Sequence, residues 1–245
     1  YQLKGPGDQE ITAALRAANG MTYVAGSFDG DTVLGGGTAL SDGRDGVVLA
    51  LDIVGKEVYR RVITGPDRQV VSAMALGPQG SLFVTGARAS ESVSQGTLDL
   101  GSGVTFDGSG LVDTYVAKLE ENLDITWAKM LAGPGATGEI EPRAMAYDCA
   151  DQLTIVGRAT GGASIGAVPV DGYGKHDAFA VKLENGNVLW GRLMGGPEDD
   201  EATSVAPIAG DSLLVGGRFA GVATFGLPVL TSAGGDDTFL VSLRP

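Results

Sequence analysis

The sequence is poor in the residues that carry most enzyme chemistry. Its 245 residues include one histidine, His176, and one cysteine, Cys149. A single cysteine excludes an internal disulfide and a cysteine-rich metal site. A single histidine excludes a multi-histidine metal site, and any Ser-His-Asp arrangement would have to use His176 as its base. No Gly-x-Ser-x-Gly elbow accompanies it. Cys149, in a Tyr-Asp-Cys-Ala-Asp turn, has no basic neighbour in sequence to activate the thiol. An exposed loop histidine and an inert thiol are the simpler assignments, and the chain reads as non-enzymatic. Basic residues are also scarce: 17 Lys and Arg stand against 30 Asp and Glu, a net charge of −13. An acidic surface repels nucleic-acid phosphates and anionic lipid, so neither is an expected partner. No apolar run approaches the roughly 18 residues a membrane span needs. No export signal is visible, so a cytoplasmic chain or the mature part of an exported one is expected.

Glycine is abundant, 40 of 245 residues, and it sits at fixed offsets, which marks turn chemistry and not low complexity. Gly26, Gly86, Gly157 and Gly217 each end an apolar run, and each is followed by an aspartate before an alternating run: Asp45, Asp113, Asp177 and Asp237. The gaps from glycine to aspartate are 19, 27, 20 and 20 residues. A Gly-Pro pair recurs at Gly5, Gly65, Gly133 and Gly196. These landmarks define a repeat of about 60 residues in four copies, near 5–64, 65–132, 133–195 and 196–245. Each copy is expected to hold four strands. The first is rich in small residues, with Ala13, Ala73, Ala144 and Ser204 in register. The second is continuously apolar, as in a strand buried on both faces. The third alternates cleanly. The fourth carries Tyr59, Trp127 or Trp190 six residues before Gly-Pro. Copy four stops before its fourth strand, and the residues 1–4 stand before Gly5 as 192–195 stand before Gly196.

The pattern GxFxGxxxFGxxxLTSAGGxDxFxxxL, best kept in Gly217–Leu243, resembles the bacterial β-propeller repeat family often called SBBP, named for seven-bladed propellers. The resemblance covers all four copies. It implies an all-β propeller, here a single domain over 1–245 with four blades of four antiparallel strands. The N-terminal strand is expected to complete the last blade and so close the ring. An upstream aromatic in the parent polypeptide is expected to fill the last blade's equivalent of the tryptophan position. The resemblance also implies an exported or surface-associated bacterial protein. A binding or structural scaffold for proteins is the first functional expectation, and a lectin-like propeller with one sugar site per blade is the alternative. A propeller hydrolase or lyase comes third. A monomer or a dimer of rings is expected.

Several residues are candidates for more than structure. The aspartates are read as turn devices whose carboxylates accept backbone N–H groups. No cofactor is expected. Calcium is considered at Asp29-Gly30-Asp31, Asp42-Gly43-Arg44-Asp45 and Glu198-Asp199-Asp200-Glu201, since hard cations take clustered oxygens, but no complete Asp-x-Asp-x-Asp-Gly loop with its distal glutamate appears. Tyr59, Trp127 and Trp190 are read as packing residues between blades. The copy-two loop, Ala87 to Val112, is seven residues longer than its counterparts in copies three and four. It carries the candidate binding residues Ser90, Glu91, Ser92, Ser94, Gln95 and Thr97, because loops on a rigid scaffold commonly carry function.

Overall fold

The computed structural model describes residues 2–35, 37–39, 41, 43–90, 96–131, 138–160, 164–165, 168–169, 172–208, 212–226 and 228–244. Every described element is a β-strand except one short turn of 3₁₀ helix at Pro78–Gly80. Copy one contributes β1 (Gln9–Arg16), β2 (Thr22–Asp29), the small hairpin β3–β4 (Thr32–Leu34 and Gly37–Ala39), β5 (Arg44–Leu51) and β6 (Glu57–Ile63). Copy two contributes β7 (Arg68–Leu76), β8 (Leu82–Ala89), the hairpin β9–β10 (Thr97–Asp99 and Thr105–Asp107), β11 (Val112–Leu119) and β12 (Ile125–Leu131). In copy three these are β13 (Ile140–Tyr147), β14 (Gln152–Thr160), β15–β16 (Ser164–Ile165 and Val168–Pro169), β17 (His176–Glu184) and β18 (Asn187–Met194). Copy four has only β19 (Glu201–Ile208), β20 (Ser212–Thr224) and β21 (Val229–Leu243).

The chain divides into two compact units, 1–108 with 115–130, and 109–114 with 131–245. In the first, copies one and two form a single eight-stranded sheet, joined by a parallel bridge between Arg44 and Arg68. In the second, β13-β14-β17-β18 and β19-β20-β21 are separate sheets of four and three strands. The class is all-β, but the closed four-bladed ring is not formed. Its closing strand was to be residues 1–4 against the strand of Phe239. Lys4 instead exchanges two backbone hydrogen bonds with Val33, at 3.2 and 2.7 Å. Leu3 packs against the cluster of Phe28, Leu34 and Leu49. Loop-closure entropy favours this outcome: Val33 is about eight times closer along the chain than the Phe239 strand, a difference of about 2 kcal/mol.

The repeat landmarks have a common physical cause. In each copy the first strand carries a one-residue bulge against the second, at Thr12, Ser72, Arg143 and Thr203. Beside it sits the landmark glycine. A Cβ on Gly26, Gly86, Gly157 or Gly217 would lie only 1.9–2.0 Å from the carbonyl oxygen of Glu10, Val70, Glu141 or Glu201. Backbone presses on backbone there, so nothing larger than glycine fits. In three copies the third strand lays an aromatic ring over the glycine: Tyr115, Phe179 and Phe239, each within 2.8 Å of that Cβ position. Two of the bulged residues reach the next copy. Thr12 Oγ1 donates to Val71 O at 2.6 Å, and Arg143 reaches Glu201.

Each unit has its own core. In the first, Val48 and Ala50 of β5 meet Val71, Val84, Tyr115 and Ala117 of copy two, all buried. In the second, Ala178 and Ala180 of β17 meet Ala202, Val215 and Phe239 of copy four, and Phe225 stacks on Phe239 with ring centroids 3.8 Å apart.

Candidate binding cleft

Asp45, Asp113 and Asp177 are fully buried at the start of their third strands, whereas Asp237 is half-buried. Three of them clamp the foot of the preceding loop. Asp113 accepts hydrogen bonds from the Ser109 and Gly110 amides at 2.9 and 3.1 Å. Asp177 accepts from the Tyr173 amide at 3.0 Å, and Asp237 from the Ala233 amide. Among the described residues no three metal-ligating side chains gather. The calcium candidates are thus scattered: Asp29 binds Arg44, Asp199 binds His176, and Asp42 lies outside the described residues.

One acidic pair stands apart. Three parallel bridges recur at the same place in the repeat, Arg44–Arg68, Val112–Glu139 and His176–Asp199. One residue further along, each landmark aspartate therefore sits beside a different neighbour: Gln69, Ile140 and Asp200. Asp177 and Asp200 are 0% and 1% exposed. Asp200 Oδ2 and Asp177 Oδ1 lie 2.4 and 2.8 Å from the Cβ position of Gly195. Asp200 accepts from Gly196 N at 2.6 Å and Ala220 N at 3.3 Å, while Asp177 Oδ1 has no hydrogen-bond partner. Burial raises both carboxyls. Asp200 is pushed up to about 6, with Asp177 and Asp199 adding to the effect of burial. Composition and spacing alone gave no sign of this pair.

His176 does not sit in a free loop. It opens β17, half-buried between Asp199 (Nδ1 to Oδ1, 2.7 Å) and Glu139 (Nε2 to Oε2, 3.1 Å). That hydrogen bond holds the Asp199 carboxyl below its usual range. Cys149 is exposed. The three aromatics differ: Tyr59 is 42% exposed, whereas Trp127 (6.0 Å from the Phe83 ring) and Trp190 are partly buried. Trp190 packs on the second unit's core, its indole N–H buried without an acceptor.

The copy-two loop gives a mixed outcome. Ser90 is buried at the end of β8, and Thr97 is exposed on β9, donating to Asp107 at 3.0 Å. Glu91, Ser92, Ser94 and Gln95 lie outside the described residues. Ser90 lines a cleft of about 770 Å³ in the first unit, together with Glu10, Asp29, Arg44, Asp67 and Arg68. The Gly65-Pro66 turn brings Asp67 and Arg68 to this rim, and the start of β5 brings Arg44. Arg44 is fully engaged, with Glu10 at 2.8 Å, Asp29 at 3.1 Å and Ser27 Oγ at 3.0 Å. Arg68 is exposed and Asp67 half-buried, and neither makes a side-chain hydrogen bond or ion pair among the described residues. Among the described residues the cleft therefore offers a cation and an anion without partners side by side, on a floor where the one guanidinium of Arg44 meets two carboxylates. A second cavity, of about 670 Å³, has Tyr59 on its wall with Val58, Gln79, Glu121, Asn122 and Asp124.

No family model matches the chain, and no curated protein does. Among solved structures it is similar to a protein of unknown function from Bacteroides caccae. Identity is 8%, with 84% of this chain and 70% of that one covered and a TM-score of 0.35. A likeness that loose carries no argument.

Proposed function

We propose that the protein is a non-catalytic binding module, exported or displayed at a bacterial surface, whose first unit seats a polar polypeptide segment. One observation carries the reading: among the described residues Asp67 and Arg68 stand uncommitted at the mouth of a cleft within the size range of ligand sites, above an Arg44 already engaged by Glu10 and Asp29. A free acid beside a free base suits a partner carrying both signs, and such paired charges set register and partner choice more than raw affinity. Peptide and glycan arrays probed with wild type and with Arg68→Glu test the reading. Peptide signals lost in the variant support it; ligands indifferent to Arg68 would defeat it.

A second reading has its own support. Tyr59 presents an exposed ring beside amide and carboxylate side chains, the mix of stacking surface and hydrogen-bonding groups that a sugar requires. Glycan signals abolished by Tyr59→Ala would favour this reading over the first.

A further inference from the structure

The last sheet differs from its sisters at one edge. In copies one and three the outer edge of the third strand is covered by a fourth: β6 pairs with β5, and β18 with β17, both antiparallel. β21 ends the sheet β19-β20-β21, and no strand among the described residues pairs with its outer edge. Register across the second strand makes the equivalence explicit: Val181 and Leu183 stand opposite Ile155 and Leu153, as Val241 and Leu243 stand opposite Val215 and Leu213. Leu240 is therefore the counterpart of Ala180, and Ser242 of Lys182. Ala180 is wholly buried, whereas Leu240 is 71% exposed.

An open edge is a hazard that proteins blunt with charge, proline or bulges. The first half of β21 follows that rule, with Gly234 and Gly235 at positive φ and then Asp236 and Asp237. The stretch Thr238–Leu243 carries no charge and no proline. Two of its three sister strands place a lysine there, Lys118 and Lys182, and the third has Ala50. An uncharged, apolar, regular edge is suited to pairing with an added strand.

We propose that the Thr238–Leu243 edge binds an extended segment of another polypeptide as a fourth antiparallel strand. The sister sheets specify the chemistry of that segment. β18 sets Leu193 opposite Phe179, Arg192 opposite Ala180 and Trp190 opposite Lys182, with a one-residue bulge at Leu189 just before the tryptophan. β6 repeats the arrangement, with Tyr59 opposite Ala50. The partner strand therefore places an aromatic opposite Ser242 and an apolar residue opposite Phe239. This surface lies on the second unit and does not depend on the cleft reading.

The probe is a fluorescent octapeptide with the sequence of Asn187–Met194, titrated with the full chain and followed by anisotropy. Saturable one-to-one binding in the micromolar range is expected. Two further peptides carry N-methyl groups on alternate residues, one set for each edge of the strand. A paired edge uses only one row of amides, so one set loses at least tenfold and the other keeps its affinity. Leu240→Lys, at a position exposed enough to spare the fold, sets a like charge against the peptide arginine and weakens binding roughly threefold. A peptide with Arg192→Glu restores it. Absence of saturation at millimolar peptide, equal loss for both N-methylated peptides, or no restoration by the charge swap would each overturn the proposal. So would sedimentation as a dimer that excludes the peptide, since the occupant would then be a second copy of the edge.

Discussion

Replacing Asp200 with asparagine should stabilise the second unit at neutral pH and erase much of its pH dependence. Asp177 and Asp200 are both buried, their facing oxygens lie within about 5 Å of each other, and among the described residues no Lys or Arg contacts either. The folded pair holds a proton that the unfolded carboxyls release near pH 3.8. Because the folded value is raised, the native state binds more protons than the unfolded chain between about pH 4 and pH 6. Stability therefore falls as pH rises through that window, and it stays low above it. A rise from 3.8 to about 6 corresponds to about 3 kcal/mol. The pair shares one proton, so this is counted once. Asparagine has no proton to lose, and its amide can donate toward the unpartnered Asp177 Oδ1. It gives up one of the two acceptor oxygens that face Gly196 N and Ala220 N, at a loss of about 1 kcal/mol. The net expectation is a gain of about 2 kcal/mol at pH 8 and a loss of about 1 kcal/mol at pH 4. Urea denaturation from pH 4 to 8, in a Trp127→Phe background so that Trp190 reports on the second unit alone, measures both limits. Parallel pH profiles for the two proteins, or no gain at pH 8, would refute the reasoning.

Gly157→Ala forces a Cβ to 2.0 Å from the Glu141 carbonyl, and a loss of at least about 3 kcal/mol or failure to fold is expected; thermal melting checks it, and a loss under about 1 kcal/mol would show that the bulge relaxes. Asp148→Ala leaves Lys182, 1% exposed, without the carboxylate 3.1 Å away, and should destabilise by about 3–5 kcal/mol, whereas Lys182→Met should be far milder. Trp190→Phe removes an orphaned buried N–H, so its loss of packing should be partly offset, and urea titration should find it less than about 1.5 kcal/mol below wild type. Chelator should leave the melting temperature unchanged, since a ligand held at 100 times its dissociation constant would add about 2.7 kcal/mol.

The four copies, their strand order and the glycine and aspartate registers were legible because each landmark answers a local demand. A carbonyl leaning on Gly157 and a loop foot clamped by Asp113 recur wherever the same turn recurs. The fate of residues 1–4 was not legible. They carry the pattern of a last strand, but Val33 lies nearer along the chain and captures Lys4. The Asp177–Asp200 pair escaped notice because the two residues come from different copies and different landmarks, brought together only by the parallel bridge beside them. Nothing in the sequence around Arg143 announces a bulge that turns it toward Glu201. Tyr59 shares its register with two tryptophans yet stays exposed, because burial is set by what packs over a position and not by the position itself.

The aspartate at the foot of each loop has a consequence for how such a chain can change. Asp113 ties the last turn of its loop to the start of β11 through the Ser109 and Gly110 amides, whatever precedes them. The loop it closes has seven more residues than those in copies three and four, and the ladder on either side keeps the common register. The length of the loop is thereby uncoupled from the ladder it interrupts, although its Leu98 and Leu100 still belong to the first unit's core, so insertions are tolerated where the loop is exposed. A lineage carrying this repeat can try new surfaces one loop at a time, and a laboratory can do the same by inserting foreign sequence at the exposed Ser102–Gly103 turn.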